Sequence, residues 1–315
     1  MSSSPAAYQE VLTRGGIADL SDRVKLVLTG ADRVRYLNGQ VTSNVQKLLP
    51  GQTQPACVTT AKGRLCAEVI ITARADALIV DADGALRETL PGRLERYIIS
   101  DDVALADATD ELHLYHLLPA RGEPIESVLR ADFGTLDHQP AQRFGRTGID
   151  FFLSAAEAAD RFPQLTAHLV LLDEALLETL RIEAGVPRWG CELGEDTLPP
   201  EAGLDRTHID YHKGCYIGQE VISRLKSVGH VNRQLTGFLS EDGTPPAAGA
   251  AVFASGDERS VGIVTSAAFS FALERPIALG YLRRGSPTSG LLARPSDPAR
   301  PECRVTACPL PFVSP

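Results

Sequence analysis

"ACVTTAKGRLCAEVIITARADALIVDAD", residues 56–83, contains three short apolar runs that are rich in β-branched residues. Two pairs of residues typical of tight turns, Lys62-Gly63 and Ala75-Asp76, separate these runs. Short connections of this kind join neighbouring strands of an antiparallel sheet. The stretch therefore predicts three consecutive strands linked by two hairpins.

The flanking segments extend this pattern on both sides. Residues 24–40 predict a strand, a turn at Gly30 and a short helix, and Pro91 breaks the helical stretch at residues 85–100. Further strands are predicted at residues 103–107 and 111–118, whereas residues 120–170 show only a strand in "GIDFFLS" and a short helix in "SAAEAADRF". Strands, a helix and strands again, with short hairpins, favour an α+β fold over a doubly wound sheet.

The sequence pattern changes after about residue 230. Short apolar segments, separated by Gly, Pro and Asp, replace the helical periodicity. This pattern predicts a small antiparallel β-barrel or sandwich. At 315 residues the chain is long enough for about two domains, which we place at residues 1–230 and 231–315.

Composition excludes several classes of function. The net charge of −9 disfavours direct nucleic-acid binding, because an acidic chain repels a phosphate backbone. No apolar run is long enough to span a membrane, and the first residues lack the features of a secretory signal. We therefore expect a cytoplasmic protein with no membrane partner.

The six cysteines do not indicate a disulfide framework, because the chain is long and no secretory context is visible. Cys303 and Cys308 are expected in or beside strands as small apolar groups. The spacing of His208, His212 and Cys215 suggests a metal site, but no fourth ligand has matching spacing. We expect no metal.

The clearest helix lies within "LLDEALLETLRIEAGVP", residues 171–187, with Asp173 as N-cap and Gly185 just past its end. Glu183 lies on the apolar stripe of this helix, in the last turn, where the helix dipole disfavours an anion, and Arg181 points to the opposite face. Burying this carboxylate requires compensation. The compensation is either a structural salt bridge or a ligand with amino and ring N–H donors, such as a pterin or purine.

"KGCYIGQE", residues 213–220, places a single cysteine between two glycines just before a predicted helix. The N–H groups of a helix N-terminus and the ammonium of Lys213 both favour the thiolate form of Cys215, although Asp210 and Glu220 oppose them. Either the local field activates a thiol at a surface cleft, or Cys215 is a small buried residue in a tight turn.

"YLNGQVTSNV", residues 36–45, also has two interpretations. It is either a helix end with Gly39 just past the last turn, followed by a loop, or a loop that contacts a ligand through Gln40 and Asn44. "TAKGR", residues 60–64, is most simply a hairpin turn.

Five stretches together resemble the glycine-cleavage T-protein superfamily: "GADRVRYLNGQVTSNV", "TTAKGRL", "LRIEAGVPRWGCELGEDTLPPEAGLD", "KGCYIGQEVISR" and "GIVTSAAFSFALERPIALGYL". They occur in the family's order and span most of the chain. The cysteine in "KGCYIGQE" resembles the YgfZ branch, the folate-binding proteins that support maturation of iron–sulfur proteins.

The resemblance implies a tetrahydrofolate-binding domain of ferredoxin-like halves followed by a small β-barrel. It places the pterin-binding acid of the family's R-x-E-x-G element on Glu183, and it implies binding roles for Lys213, Tyr216 and Gln219. Relatives often carry a basic residue where this chain has Gln219, so a folate carboxylate contact there is not expected. Only Glu88 falls near the family's catalytic aspartate, which argues against aminomethyl transfer.

Our leading hypothesis from the sequence is a tetrahydrofolate-binding accessory protein that helps assemble or repair iron–sulfur clusters in client enzymes, including enzymes that modify tRNA. Cys215 would act as a redox partner, a transient cluster ligand or an acceptor of a folate-borne one-carbon unit. The rival hypothesis is a folate-dependent aminomethyltransferase or methyltransferase. A third is an interaction module with a vestigial folate pocket.

Overall fold

The structure is a computed structural model that describes residues 4–124 and 136–313. Its α-helices are α1 (Pro5–Arg14), α2 (Arg33–Gln40), α3 (Leu90–Glu95), α4 (Ala155–His168), α5 (Glu174–Glu183) and α6 (Gln219–Ser227). Its strands are β1 (Gly16–Asp19), β2 (Val24–Thr29), β3 (Thr53–Thr59), β4 (Leu65–Ala73), β5 (Leu78–Ala82), β6 (Ala104–Asp107), β7 (Leu112–Leu118), β8 (His138–Arg143), β9 (Arg146–Ser154), β10 (Val170–Leu171), β11 (Arg233–Ser240), β12 (Ala251–Ala254), β13 (Ser260–Ser270), β14 (Arg275–Arg283), β15 (Leu291–Arg294) and β16 (Cys303–Cys308).

The strands form two five-stranded sheets and a closed barrel. The first sheet has the order β3-β4-β5-β2-β6, and the second has the order β10-β1-β7-β9-β8. The barrel closes in the order β11-β14-β13-β12-β15-β16, with every strand pair antiparallel. This architecture confirms the predicted α+β fold with a small antiparallel barrel after it.

The two sheets face each other, and each is covered by helices on its other side. Leu37 of α2 and Leu94 of α3 are buried against the outer face of the first sheet. Leu165 of α4 is buried against the outer face of the second sheet. Ile79 of β5 and Phe152 of β9 belong to one buried cluster between the sheets. The helices cover the outer faces of the two sheets, so the inner faces of the sheets line the space between them.

The local predictions were largely confirmed. β3, β4 and β5 are the three expected strands, and their hairpins turn at the expected pairs. Asp173 caps α5 by accepting a hydrogen bond from the Leu176 N–H at 2.8 Å. Gly185, at φ +69°, ends the same helix, because its N–H and that of Val186 bond back to the last turn.

Two local predictions differ from the structure. Gly39 is not the residue just past α2, because the helix continues through Gln40 and Val41 is its C-cap. Residues 136–143 include β8, which the sequence did not indicate, and α4 is longer than the short helix expected. β8 has the sequence "HQPAQR", whose polar residues lack the apolar alternation on which a strand prediction depends.

The structure describes all six cysteines, and each is a free thiol. Cys303 and Cys308 are the two ends of β16, as expected, and Cys303 is buried. Among residues 4–124 and 136–313, no helix is both long enough and apolar enough to cross a membrane.

Candidate functional site

The loop of "KGCYIGQE" lies directly against the hairpin between β3 and β4. Thr59 Oγ1 donates to the Ile217 carbonyl at 2.6 Å. Gly218, at φ +89°, precedes α6, and a Cβ there would lie 2.5 Å from the Thr60 carbonyl oxygen. Gly218 is therefore required both by its backbone conformation and by the close approach of the hairpin.

Lys213 fixes the other side of this loop. Its side chain is buried, and its ammonium donates to the carbonyls of Asn38, Val41 and Ser43 at 2.6–2.7 Å. Burial lowers the pKa of Lys213 to about 8, against the opposing attraction of Asp210. The ammonium is thus directed into the loop after α2, where it satisfies backbone groups, and its ligand contact stays a prediction.

The predicted ligand loop, residues 36–45, meets the cysteine loop at several points. Gln40 is buried and accepts a hydrogen bond from Arg93, whose guanidinium also donates to the Thr59 carbonyl at 2.7 Å. The Asp210 N–H donates to the Thr42 carbonyl at 3.0 Å. The structure therefore brings together the two loops that the sequence singled out, with the β3–β4 hairpin between them.

The remaining predicted residues have different environments. Cys215 is exposed, so the alternative of a small buried cysteine is wrong. Asn44 caps a short 3₁₀ turn by accepting a hydrogen bond from the Gln46 N–H at 3.1 Å, and Gln219 begins α6 half-buried. Tyr216 is buried under Lys213, whose ammonium lies 5.3 Å from the ring centroid.

Two buried hydroxyl groups at this junction lack a hydrogen-bond partner in the described part of the chain, Tyr216 Oη and Ser43 Oγ. A buried hydroxyl without a partner costs free energy, which a ligand or water would recover. Burial also raises the pKa of Tyr216, so its hydroxyl stays protonated and able to donate. The junction therefore retains unused polar groups beside the exposed thiol.

Glu183 lies elsewhere, between α1, α5 and the barrel. One carboxylate oxygen accepts from Tyr8 Oη at 2.7 Å, and the other accepts from Ser270 Oγ at 2.6 Å and the Ala272 N–H at 3.3 Å. Burial, followed by the bond to Glu183, raises the pKa of Tyr8 and keeps it a donor. Two hydroxyl groups and one N–H thus compensate the buried carboxylate. Among the described residues no cation pairs with it, so the expected salt bridge is wrong, and the pterin contact stays a prediction.

Arg181 is also buried, which corrects the expectation that it points to an outer face. Its guanidinium pairs with Glu192 at 2.8 Å, and Glu192 accepts further hydrogen bonds from Thr265 at 2.7 Å and Ser266 at 2.5 Å in β13. The barrel covers the face of α5 that a helical wheel leaves to solvent. Sequence reasoning missed Glu192, because its loop has no periodicity to mark it as buried.

A buried charge cluster between the two sheets was also missed. Arg143 pairs with Asp81 at 2.9 Å and with Asp150 at 2.7 Å, and His116 Nδ1 lies 2.7 Å from Asp150. Although burial alone would raise it, Arg143 and His116 hold the pKa of Asp150 well below its usual range. Asp81 and Asp150 are the acidic residues of their strands, and His116 shares an apolar strand with His113. An ionisable residue in an apolar strand was the available signal.

In the described residues, no group of three or more His, Cys, Asp or Glu side chains is arranged to hold a metal ion. His208 pairs with Glu68 at 3.2 Å, and His212 is exposed. The spacing considered for a metal site does not correspond to a cluster in space.

The barrel carries a family signature. Residues 233–313 match the model of the glycine cleavage T-protein C-terminal barrel domain. The whole chain resembles the crystal structure of glycine cleavage system aminomethyltransferase T from Bartonella henselae, with a TM-score of 0.85 over 98% of this chain and 89% of that one, at 18% identity. The fold is therefore that of the T-protein class.

Curated relatives extend the match to the sequence. An aminomethyltransferase of Rubrobacter xylanophilus is 31% identical over 301 residues, 88% of this chain and 78% of that protein. The tRNA-modifying protein YgfZ of Yersinia enterocolitica is 29% identical over 267 residues, 78% of each. The chain belongs to the glycine-cleavage T-protein superfamily.

Proposed function

We propose that this protein binds tetrahydrofolate, or a one-carbon derivative of it, and presents Cys215 beside that site. In this proposal it is an accessory protein that assists assembly or repair of iron–sulfur clusters in client enzymes, including those that modify tRNA. The observation that carries it is the position of an exposed free thiol, Cys215, where the loop of residues 213–220 meets residues 36–45.

The junction offers polar groups to the bound folate, and the contact of its pterin ring with Glu183 is a separate prediction. Tyr216 Oη and Ser43 Oγ are buried and have no hydrogen-bond partner among the described residues. Both residues contact the ammonium of Lys213, Ser43 through its carbonyl and Tyr216 through its ring. Gln40 adds an amide held by Arg93. These residues would hold and orient the ligand, while a bound folate would supply a one-carbon carrier.

The environment of Cys215 supports a role in which the thiol reacts with, or binds to, a group on a partner protein or ligand. Its loop is fixed at both ends, by Lys213 and by Gly218, but Gly214 has no neighbouring atom within 4 Å of where a Cβ would stand. The thiol is therefore held in place yet accessible to a protein or cluster. A redox role, transient cluster ligation and one-carbon acceptance all use such a thiol.

The Cys215→Ala variant and a folate titration together test the proposal. We expect saturable binding of tetrahydrofolate, unchanged in Cys215→Ala, and loss of client-enzyme activity in cells that carry Cys215→Ala. Absence of saturable binding at roughly 100 μM ligand would remove the folate half of the proposal. Normal client activity with Cys215→Ala would remove the other half.

Glu183→Ala distinguishes a ligand contact from a structural one. A pterin contact predicts weaker folate binding at a temperature where the variant is fully folded. A purely structural carboxylate predicts a lower melting temperature with unchanged affinity. Tyr8→Phe is the matched control, since it removes one structural partner of Glu183 and leaves the carboxylate in place.

The second candidate is a folate-dependent aminomethyltransferase or methyltransferase. The Rubrobacter xylanophilus relative favours it, because it is named an aminomethyltransferase and matches 88% of this chain. Against it, Glu88, which falls near the family's catalytic aspartate, is exposed. Turnover of an aminomethyl donor with tetrahydrofolate would establish this candidate, and Cys215→Ala would then leave the rate unchanged.

A further inference from the structure

A cleft lies between the barrel and the loops that precede it. Its volume is about 940 Å³, and its lining includes the tip of the β3–β4 hairpin, the segment after α6 and the rim of the barrel. The charged side chains that line it are Arg64, Asp196, Glu201, His230, Arg233, Arg259, Arg283 and Arg284. None of these residues belongs to the site described above.

The cleft is basic in a chain whose net charge is −9. Its two acids are already engaged, Asp196 with Arg64 at 3.3 Å and Glu201 with Arg233 at 2.9 Å. The other arginines of the lining form no ion pair with the residues that the structure describes; they are Arg259, Arg283 and Arg284. The cleft therefore carries uncompensated positive charge.

Two of these arginines are neighbours on the barrel, and Glu201 pairs with Arg233 but not with Arg283. Arg233 of β11 and Arg283 of β14 are direct cross-strand partners, and like charges in that position repel each other. The Arg233 guanidinium is fixed over the ring of Tyr281, 4.4 Å from its centroid. A planar guanidinium held in this way presents its remaining N–H groups in a fixed direction.

We propose that this cleft binds a short chain of carboxylates, such as an oligoglutamate. Successive carboxylates would pair with Arg283 and Arg284, and with the N–H groups of Arg233 that its bond to Glu201 does not use. Guanidinium groups match carboxylates with paired hydrogen bonds, which makes a row of arginines a suitable receptor. The proposal is independent of the function proposed for the Cys215 site.

The same features disfavour a nucleic acid as the ligand. Single strands bind through exposed aromatic faces on which the bases stack. The aromatic ring of this cleft, Tyr281, is buried and covered by Arg233. The acidic chain as a whole also opposes the dense charge of a phosphate backbone, whereas a few carboxylates meet the local positive charge.

The test is a titration of the whole protein with pentaglutamate at low ionic strength, comparing the wild type with the double variant R283Q/R284Q. We expect saturable binding by the wild type, weakened about tenfold or more in the double variant. Arg304→Gln is the matched control, because Arg304 is an exposed barrel arginine outside the cleft, and it should bind like the wild type.

Two further arms identify the source of the carboxylates. Tighter binding of γ-linked than α-linked pentaglutamate indicates a free ligand, and equal or tighter binding of the α-linked form indicates an acidic segment of a protein. Tetrahydrofolate with one glutamate should bind R283Q/R284Q normally, so the two proposals fail separately. Absence of pentaglutamate binding, or tighter binding of an RNA oligonucleotide, would overturn the assignment.

Discussion

At the scale of single residues, the two buried charges that the sequence singled out, Lys213 and Glu183, each have fixed protein partners. Lys213 serves three backbone carbonyls, and Glu183 accepts from three protein donors. The sequence identified both residues as unusual because each places a charge in an apolar or glycine-rich context. It did not identify their partners, because Tyr8 and Ser270 are distant along the chain and are brought close only by the fold.

His116 gives a prediction about pH. Burial lowers its pKa, although the hydrogen bond to Asp150 opposes the shift. The unfolded chain therefore takes up a proton near pH 6.5 that the folded chain resists, so stability should fall as pH decreases below about 6.5. His116→Asn, which retains a donor toward Asp150, should flatten the dependence of the unfolding free energy on pH between about 6.5 and 4.

Denaturant titrations across that pH range provide the measurement, with His168→Asn as control because His168 is exposed at the end of α4. The full effect of one proton is about 1.4 kcal/mol per pH unit. An unchanged slope in His116→Asn, relative to the wild type, would show that His116 titrates normally and would contradict the assignment.

At the scale of elements, the β3–β4 hairpin positions the site. It supports the cysteine loop through Thr59 and Gly218, and it carries Arg64 into the basic cleft. The sequence predicted this hairpin only as a turn, which was correct but incomplete. The structure shows its role through its tertiary contacts, because the sequence of a turn does not specify which other segments pack against it.

The two glycines of the motif provide a matched pair of substitutions. Gly218→Ala forces a side chain into a left-handed conformation and against the Thr60 carbonyl. We expect it to lower the unfolding free energy by about 2–4 kcal/mol. It should also change the alkylation rate of Cys215, because the loop must move to relieve the contact.

Gly214→Ala should be neutral within about 0.5 kcal/mol, because it has no positive φ and no atom near its added Cβ. Denaturation curves and thiol alkylation rates measured on both variants give the comparison. Equal stability of the two variants would mean that the hairpin does not hold the loop.

At the scale of the whole molecule, two carboxylates attach the barrel to α5. Glu183 binds Ser270, Glu192 binds Thr265 and Ser266, and all three hydroxyls come from β13. The change in sequence pattern after about residue 230 predicted a small antiparallel barrel, which the structure confirms. The helical wheel predicted that the face of α5 opposite Glu183 is exposed to solvent. The sequence of one helix does not show that a second element, here the barrel, will cover that face.

Glu192→Gln tests this attachment. The substitution removes the fully buried partner of Arg181 and leaves its ion pair with the partly exposed Glu178. Because removing one member of a buried ion pair costs about 3–5 kcal/mol when no partner remains, we expect a loss below about 3 kcal/mol. We expect the barrel of this variant to open more readily than the first sheet. Amide hydrogen exchange would then be faster in β13 than in β4. Glu302→Gln, in an exposed barrel pair with Arg294, should change stability by less than about 1 kcal/mol. Uniform exchange across both strands would show that the barrel does not depend on Glu192.

The order of strands in the two sheets also bears on self-association. β3 and β8 are edge strands that contact each other, since Thr53 Oγ1 donates to the Pro140 carbonyl at 2.6 Å, and Val41 bridges to Val58 of β3. The edge groups that these contacts leave unpaired are open to a second molecule. Pro55 lies within β3 and Pro140 within β8, and neither has an N–H to offer an incoming strand. Both prolines interrupt the hydrogen-bonding pattern that edge-to-edge aggregation requires, so replacing them would make the protein more prone to form β-rich aggregates.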